Sequence, residues 1–432
     1  MKVSKIASTL EGSEIIKIAG QINELKSKGE QIANLTIGDF DSNIFPIPNE
    51  LKDGIVEAYQ ANQTNYPPAE GVAVLRENIS VFLQERFGLS YNSKQILVAG
   101  GSRPLIYGTY MALVDPGDKV IYPTPSWNNN HYCRFTGATQ VAVKTSAANK
   151  FMPTADDIRP YLKGATLLAL CSPLNPTGTM FAKKDLEEIC DLVIAENKTR
   201  SADEKPLYIM YDQIYSLLTF GDQFHFDPVT LRPELKDKVI YIDGISKCLA
   251  ATGVRVGWAF GPEHVIDKMK TIVGHVGAWA PKPEQVATAK FLTQTTELNN
   301  YLTTFKAKVQ KSLDTLYQGI IQLKEDGFAV DAINPMGAIY LTVKVDYIGK
   351  TTPEGNILKD SADVNFYLIK EAKMGIVPFS AFGTDSGVNW FRASVGGCSH
   401  DIAGYELLIL VIAKHIRQSI IQRPQIGIDF LL

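Results

Sequence analysis

No apolar run in this chain is long enough to cross a bilayer. The longest, at 407–413, is about a third of the required length and reads as the buried face of a last helix. Basic charge is not in surplus either. A formal net charge of −3 over 432 residues leaves no electrostatic footprint for nucleic acid or for an anionic membrane surface. Cysteine is scarce: Cys133, Cys171, Cys190, Cys248 and Cys398 are odd in number and scattered, none sits at metal-ligand spacing, and a reducing cytoplasm fits them best. Internal repeats and low-complexity tracts are missing. The residues after Met1 run into a charged helical pattern without the apolar core of a signal peptide, so a cytoplasmic protein is expected.

What is present is ample core: 45% of the residues are hydrophobic, and the chain is too long for one typical domain, so about two or three are expected. Helical periodicity over 13–29 stops at Gly29, 32–37 reads as a strand, and helices follow at about 50–60 and from Leu75. From residue 95 the pattern alternates. Strands at 95–99, 119–122, 141–144, 166–170, 207–210, 240–245 and 258–262 are separated by helical stretches, which predicts a mostly parallel sheet with helices on both faces, an α/β architecture. The segment 196–205 is charged and poor in apolar residues, and reads as a surface insertion. A long helix at about 284–325, broken near 293–300, leads into short strands at 338–343, 375–378 and 389–393 set between helices, an α+β layout. The expected organisation is a large domain at 50–290, a connecting helix at 291–326, and a small domain assembled from 1–49 and 327–432.

The ends of these strands carry more chemistry than turns require. The β-branched run at 240–245 delivers Ser246-Lys247 into a loop, with Arg255 on its far side. A lysine desolvated at a strand end has a lowered pKa and can form a Schiff base with an aldehyde, although the dipeptide alone equally describes a solvated loop lysine. Asp212 stands at the mouth of an apolar strand, where an acid needs a cationic partner unless the loop is simply solvated. Gly100-Gly101-Ser102-Arg103 reads as a turn and Pro104 as the first residue of a helix whose free N–H groups suit phosphate. Trp127 is either a core plug or a flat surface for a planar ligand. Pro173 and Pro176 flank Asn175, which either aims its amide outward or, as turn asparagines commonly do, satisfies its own backbone. Pro67 and Pro68 stiffen a loop that holds Tyr66 out, and Gly38 permits a close backbone approach or a plain turn.

In order and rough spacing, Tyr66, Gly71, Leu75-Arg76, Gly101-Ser102, Pro116-Gly117-Asp118, Trp127, Asn175-Pro176-Thr177-Gly178, Asp212 with Tyr215, Ser246-Lys247, Arg255 and Arg392 resemble the class I/II aminotransferases. These are pyridoxal-phosphate enzymes of fold type I, such as aspartate aminotransferase, and the match runs from Gly38 to Arg392. The resemblance implies a seven-stranded, mostly parallel sheet in the large domain and a homodimer. It implies that Lys247 bonds the cofactor aldehyde and shuttles the substrate proton, that Asp212 pairs with the pyridine nitrogen, and that Tyr215 and Asn175 meet the ring's phenolic oxygen. Trp127 would stack on the ring. Gly101, Ser102, Ser246 and Arg255 would hold the phosphate, with Tyr66 reaching in from a second subunit. Arg392 would clamp the substrate α-carboxylate, beside Gly38 and Asn175. Arg103 and Pro104 depart from the family pattern: Arg103 either joins the phosphate site, reads a substrate side chain or forms a surface salt bridge. His131, four residues after Trp127, lies near a register where some members keep a histidine supporting the aspartate.

The implied reaction moves an amino group from an L-amino acid to a 2-oxo acid such as 2-oxoglutarate. An aspartate-type donor needs a second cation, for which Arg103 and Lys282 are candidates, whereas a pocket lined by Trp279 or Phe40 would favour aromatic or broad specificity. The same apparatus serves carbon–sulfur β-lyases. A non-catalytic ligand-binding protein on this fold is disfavoured by the intact Lys247 and Asp212.

Overall fold

Alternation along the strands decides the architecture. The computed structural model describes residues 3–10 and 12–397, so Cys398 and the apolar run at 407–413 lie outside the described residues. Within them are the strands β1 (Ala33–Asn34), β2 (Ile96–Ala99), β3 (Lys119–Thr124), β4 (Thr139–Lys144), β5 (Ala165–Cys171), β6 (Tyr208–Asp212), β7 (Val239–Gly244), β8 (Gly257–Phe260), β9 (Val330–Ile333), β10 (Tyr340–Val345), β11 (Met374–Gly375), β12 (Val377–Pro378) and β13 (Trp390–Ser394).

Seven of them form one sheet in the order β2-β8-β7-β6-β5-β3-β4. Val98, Ile121, Leu168, Tyr211, Tyr241 and Trp258 enter the core on one face, while their neighbours Leu97, Val120, Leu167, Met210, Ile242 and Ala259 enter the core on the other. Burial on both faces is why these strands read as continuous apolar runs. All neighbours are parallel except β8, which is antiparallel to both β2 and β7. The carboxyl ends of the parallel strands therefore share one edge, where open α/β sheets bind ligands. Reversed β8 starts at that edge, with Gly257 opposite both Ala99 and Gly244. A Cβ at Gly257 would stand 2.7 Å from the carbonyl carbon of Gly101, so only glycine lets these loops close up.

A second, antiparallel sheet has the order β12-β13-β10-β9. The helix Thr295–Glu325, about 46 Å long, links the two cores. Its Leu298 and Leu302 pack under the large sheet, and Phe305, Val309, Leu313, Leu316 and Ile320 pack under the small one. It is separated from the preceding helix, Lys282–Leu292, by only Thr293 and Gln294.

Three expectations need correcting. The strand at 32–37 shrinks to Ala33–Asn34, because its partner β11 is itself two residues long. The helix expected from Pro104 begins at Ser102, with Gly101 as its N-cap. First-turn N–H groups have no partner inside a helix, so a proline there loses nothing. The supposed insertion at 196–205 is partly helix, since Lys183–Thr199 is continuous. Arg200 also pins the segment, donating to the carbonyl oxygens of Ala165 at 2.7 Å and Lys205 at 2.5 Å and pairing with Glu196 at 2.9 Å.

Candidate active site

The shared edge collects the predicted residues strand by strand. Asp212 ends β6, and Ser246 and Lys247 lie on the single helical turn Ile245–Cys248 that follows β7. Asn175 follows β5, Trp127 follows β3, Ser102 follows β2, and Arg255 precedes β8. The small sheet supplies Arg392 from β13, and the segment after β1 supplies Gly38.

Half-buried Lys247 donates from Nζ to the Gly38 carbonyl oxygen at 2.6 Å. Desolvation pushes its pKa down to about 8; Asp39 opposes the shift, while Arg392, Arg103 and Arg255 reinforce it. Asp212 moves the other way, up to about 6, because desolvation outweighs the Ile214 N–H at 3.1 Å and the positive charge of Lys247. Both shifts favour the uncharged form.

Arg392 is 1% exposed. Its guanidinium lies between the rings of Tyr340 and Phe382, 4.7 and 4.9 Å from their centroids. It donates to Asn175 Oδ1 at 3.0 Å and to the Thr36 carbonyl at 2.6 Å, and its Nε has no partner among the described residues. A buried guanidinium with an idle donor costs free energy unless an acceptor arrives. The Tyr215 and Tyr340 hydroxyls are 2.6 Å apart. Gly38 completes this wall: a Cβ there would come within 2.7 Å of the Tyr340 hydroxyl.

The helix after β2 begins without a side-chain cap, so its first-turn N–H groups remain available. Arg255 backs the turn, donating to the carbonyls of Gly100 at 2.8 Å and Thr252 at 2.7 Å. A guanidinium has five N–H donors, so more remain. Gly101 has φ +91, and a side chain there would run into Arg255. Among the described residues Arg103 has no salt-bridge partner. Its guanidinium lies over the Trp127 ring, 4.5 Å from the centroid.

Tyr66 and Lys282 form a separate surface cluster. Tyr66 is 81% exposed with its ring edge-on to Trp279, centroids 5.3 Å apart, and Lys282 donates to Asn65 Oδ1 at 2.6 Å. The cluster touches the turn after β2 through the Gly100 N–H, which donates to Ala278 O at 2.8 Å. His131 lies on the helix Asn129–Thr136, and the backbone donor on Asp212 is Ile214.

Reasoning from sequence missed Tyr340, Phe382 and Asp39 as parts of this wall. Tyr340 opens an apolar strand and Phe382 ends a short 3-10 turn, so both pass locally for core. Asp39, adjacent to Gly38, accepts from Thr252 Oγ1 at 2.6 Å; a carboxylate directly after a strand-end glycine was the available signal.

Comparisons with known proteins agree with this geometry. The crystal structure of the aspartate aminotransferase from Rhizobium meliloti is similar with a TM-score of 0.86 at 25% identity, covering 96% of this chain and 99% of that one. An alanine aminotransferase from Pyrococcus furiosus reaches a TM-score of 0.83 at 25% identity, covering 96% of this chain and all of that one (100%). In sequence, the aspartate aminotransferase of Geobacillus stearothermophilus is 27% identical over 393 residues, 90% of this chain and 93% of that protein. The model of the family "Aminotransferase class I and II" matches residues 30–408. A match over that much of the chain, on a fold type I architecture, places the protein in the class I and II aminotransferases, as a pyridoxal-phosphate-dependent transaminase.

Proposed function

We propose that this aminotransferase takes an aspartate-type amino donor and a 2-oxo acid such as 2-oxoglutarate, with Lys247 as its catalytic amine. The observation that carries the reading is the Lys247 amine, held on the Gly38 carbonyl with a pKa of about 8, on the same wall as Arg392.

The residues fit pyridoxal phosphate. An uncapped twelve-residue helix N-terminus, a glycine at 101 that leaves room, Arg255 and the Ser102 and Ser246 hydroxyls suit its phosphate. Asp212, poorly solvated and without an ion-pair partner among the described residues, suits a protonated pyridine nitrogen. When bound, the cofactor supplies an aldehyde that takes up amines and a ring that accepts the electrons left by the departing Cα proton. The protein's share is positional. Lys247 moves that proton, Asp212 keeps the pyridine nitrogen charged, and Tyr215 and Asn175 hydrogen-bond the phenolic oxygen. Trp127 packs on the ring. Arg392 receives the α-carboxylate.

Substrate choice follows from the surplus cation. With Arg392 assigned to the α-carboxylate and Arg255 to the phosphate, Arg103 is left without a carboxylate partner among the described residues, which favours a donor with a second carboxylate. Relatives named aspartate aminotransferase, and the probable aspartate/prephenate aminotransferase of Rhizobium leguminosarum, 27% identical over 379 residues (87% of this chain, 90% of that protein), support the same choice. Exposed Tyr66, on a proline-stiffened loop, suits a homodimer in which it completes the partner's phosphate site. A large domain at 50–290, with a small one from both chain ends, remains the organisation we propose. The odd, scattered cysteines support a cytoplasmic location.

A panel of amino donors against 2-oxoglutarate tests this. Aspartate should lead and Lys247→Ala should abolish turnover. Faster turnover of aromatic donors, or release of pyruvate and ammonia from cystathionine without a 2-oxo acid, would overturn the substrate assignment. Full transamination by Lys247→Ala would overturn the mechanism.

A further inference from the structure

Two buried hydroxyls 2.6 Å apart share a single hydrogen bond, so one tyrosine of the Tyr215–Tyr340 pair donates and the other keeps its proton for a third group. Which one donates is decided by acidity. The Arg392 guanidinium sits on the Tyr340 ring, where a cation withdraws charge from the phenol. Burial raises both phenols, Tyr215 well above the usual tyrosine value, and Arg392 opposes the rise in each, as the second-largest influence on Tyr340, whose ring it touches, and a lesser one on Tyr215. Tyr340 is therefore the stronger donor. Two backbone contacts hold it in place: Gly38 leaves no room for a Cβ beside its hydroxyl, and a Cβ at Gly178 would collide with its carbonyl oxygen.

We propose that Tyr340 is a positioning residue that donates its hydroxyl proton to the Tyr215 oxygen and so strengthens the bond Tyr215 makes onward to the phenolic oxygen of the bound cofactor. The proposal rests on the role given to Tyr215 above. Hydrogen bonds in a chain polarise one another, by roughly 10–30% per bond. The donating tyrosine belongs to β10 of the small sheet and the accepting one to the turn after β6 of the large sheet, so Tyr215's strength as a donor depends on the two sheets staying together.

The test is a pH titration of the visible absorbance of the holoenzyme, in the unaltered protein, Tyr340→Phe, Tyr215→Phe and the double variant. A donor to an anionic oxygen stabilises the deprotonated chromophore and lowers its midpoint. Tyr215→Phe should raise the midpoint by about one unit, Tyr340→Phe by a few tenths, and the double variant no further than Tyr215→Phe alone. Replacing Tyr340 by 3-fluorotyrosine, a more acidic phenol of nearly the same size, should lower the midpoint, a sign that loss of packing would not produce. A downward or absent shift in Tyr340→Phe while Tyr215→Phe shifts as expected overturns the proposal and leaves the role of Tyr215 standing, as does full additivity in the double variant. No shift in Tyr215→Phe removes the underlying role and the proposal with it.

Discussion

An amine with a pKa of about 8 is neutral in roughly 9% of molecules at pH 7, against about 0.03% for an ordinary lysine, so burial raises the reactive fraction of Lys247 roughly 300-fold. Only the free amine attacks an aldehyde. Uptake of pyridoxal phosphate by the apoprotein, followed by stopped-flow absorbance at fixed ionic strength, should therefore quicken about tenfold per pH unit below 8 and level off above it. Two substitutions should move the break in opposite directions. Asp39→Asn removes the carboxylate that favours the charged amine, while an amide oxygen can still accept from Thr252 Oγ1 at 2.6 Å and the Phe40 N–H at 2.8 Å, so the break should fall. Arg103→Leu removes a cation that disfavours the charged amine, so the break should rise. A rate that climbs without a break past pH 9, or two variants that shift the same way, would refute the account of Lys247 as a lysine neutralised by its surroundings.

Arg392→Lys keeps the charge but loses the planar fork, leaving Asn175 Oδ1 and the Thr36 carbonyl imperfectly paired; kcat/KM for the amino donor should fall by about 3 kcal/mol, roughly a hundredfold, mostly through KM. Asp212→Asn should lower turnover roughly 100- to 1000-fold and yet stabilise the apoprotein in urea denaturation. The sign follows from the raised pKa: the cost of the carboxylate is present in full above about 6, fades as pH falls toward 3.8, and is absent below. The gain should be at most about 3 kcal/mol at pH 7, less what solvent screens, and should vanish near pH 4. An equal gain at both pH values would show that charge is not its cause.

Local rules carried the sequence reading a long way. Apolar runs bounded by Gly, Pro, Asn and Asp marked the strands of the large sheet within a few residues, because strands buried on both faces admit little else. The residues at their carboxyl ends were legible for the same reason: a lysine, an acid or a proline-flanked asparagine there departs from what an apolar strand or a plain turn needs. The ends of irregular segments were harder. Helix capping by Gly101 and the anchoring of Arg200 depend on partners elsewhere in the chain.

The amino-acid order by itself determined the large parallel sheet, the candidate residues at its strand ends and the resemblance to one enzyme family. Only tertiary packing decided that the Gly38 carbonyl holds Lys247, that Arg103 lies on Trp127, and that Tyr340 meets Tyr215 beneath Arg392. Those contacts join residues 24 to 209 positions apart, and two of the four, Gly38 with Lys247 and Tyr340 with Tyr215, close between the large sheet's strand ends and segments packed against them. No local periodicity, cap or turn signal records which side chains meet when two separately patterned elements close on each other.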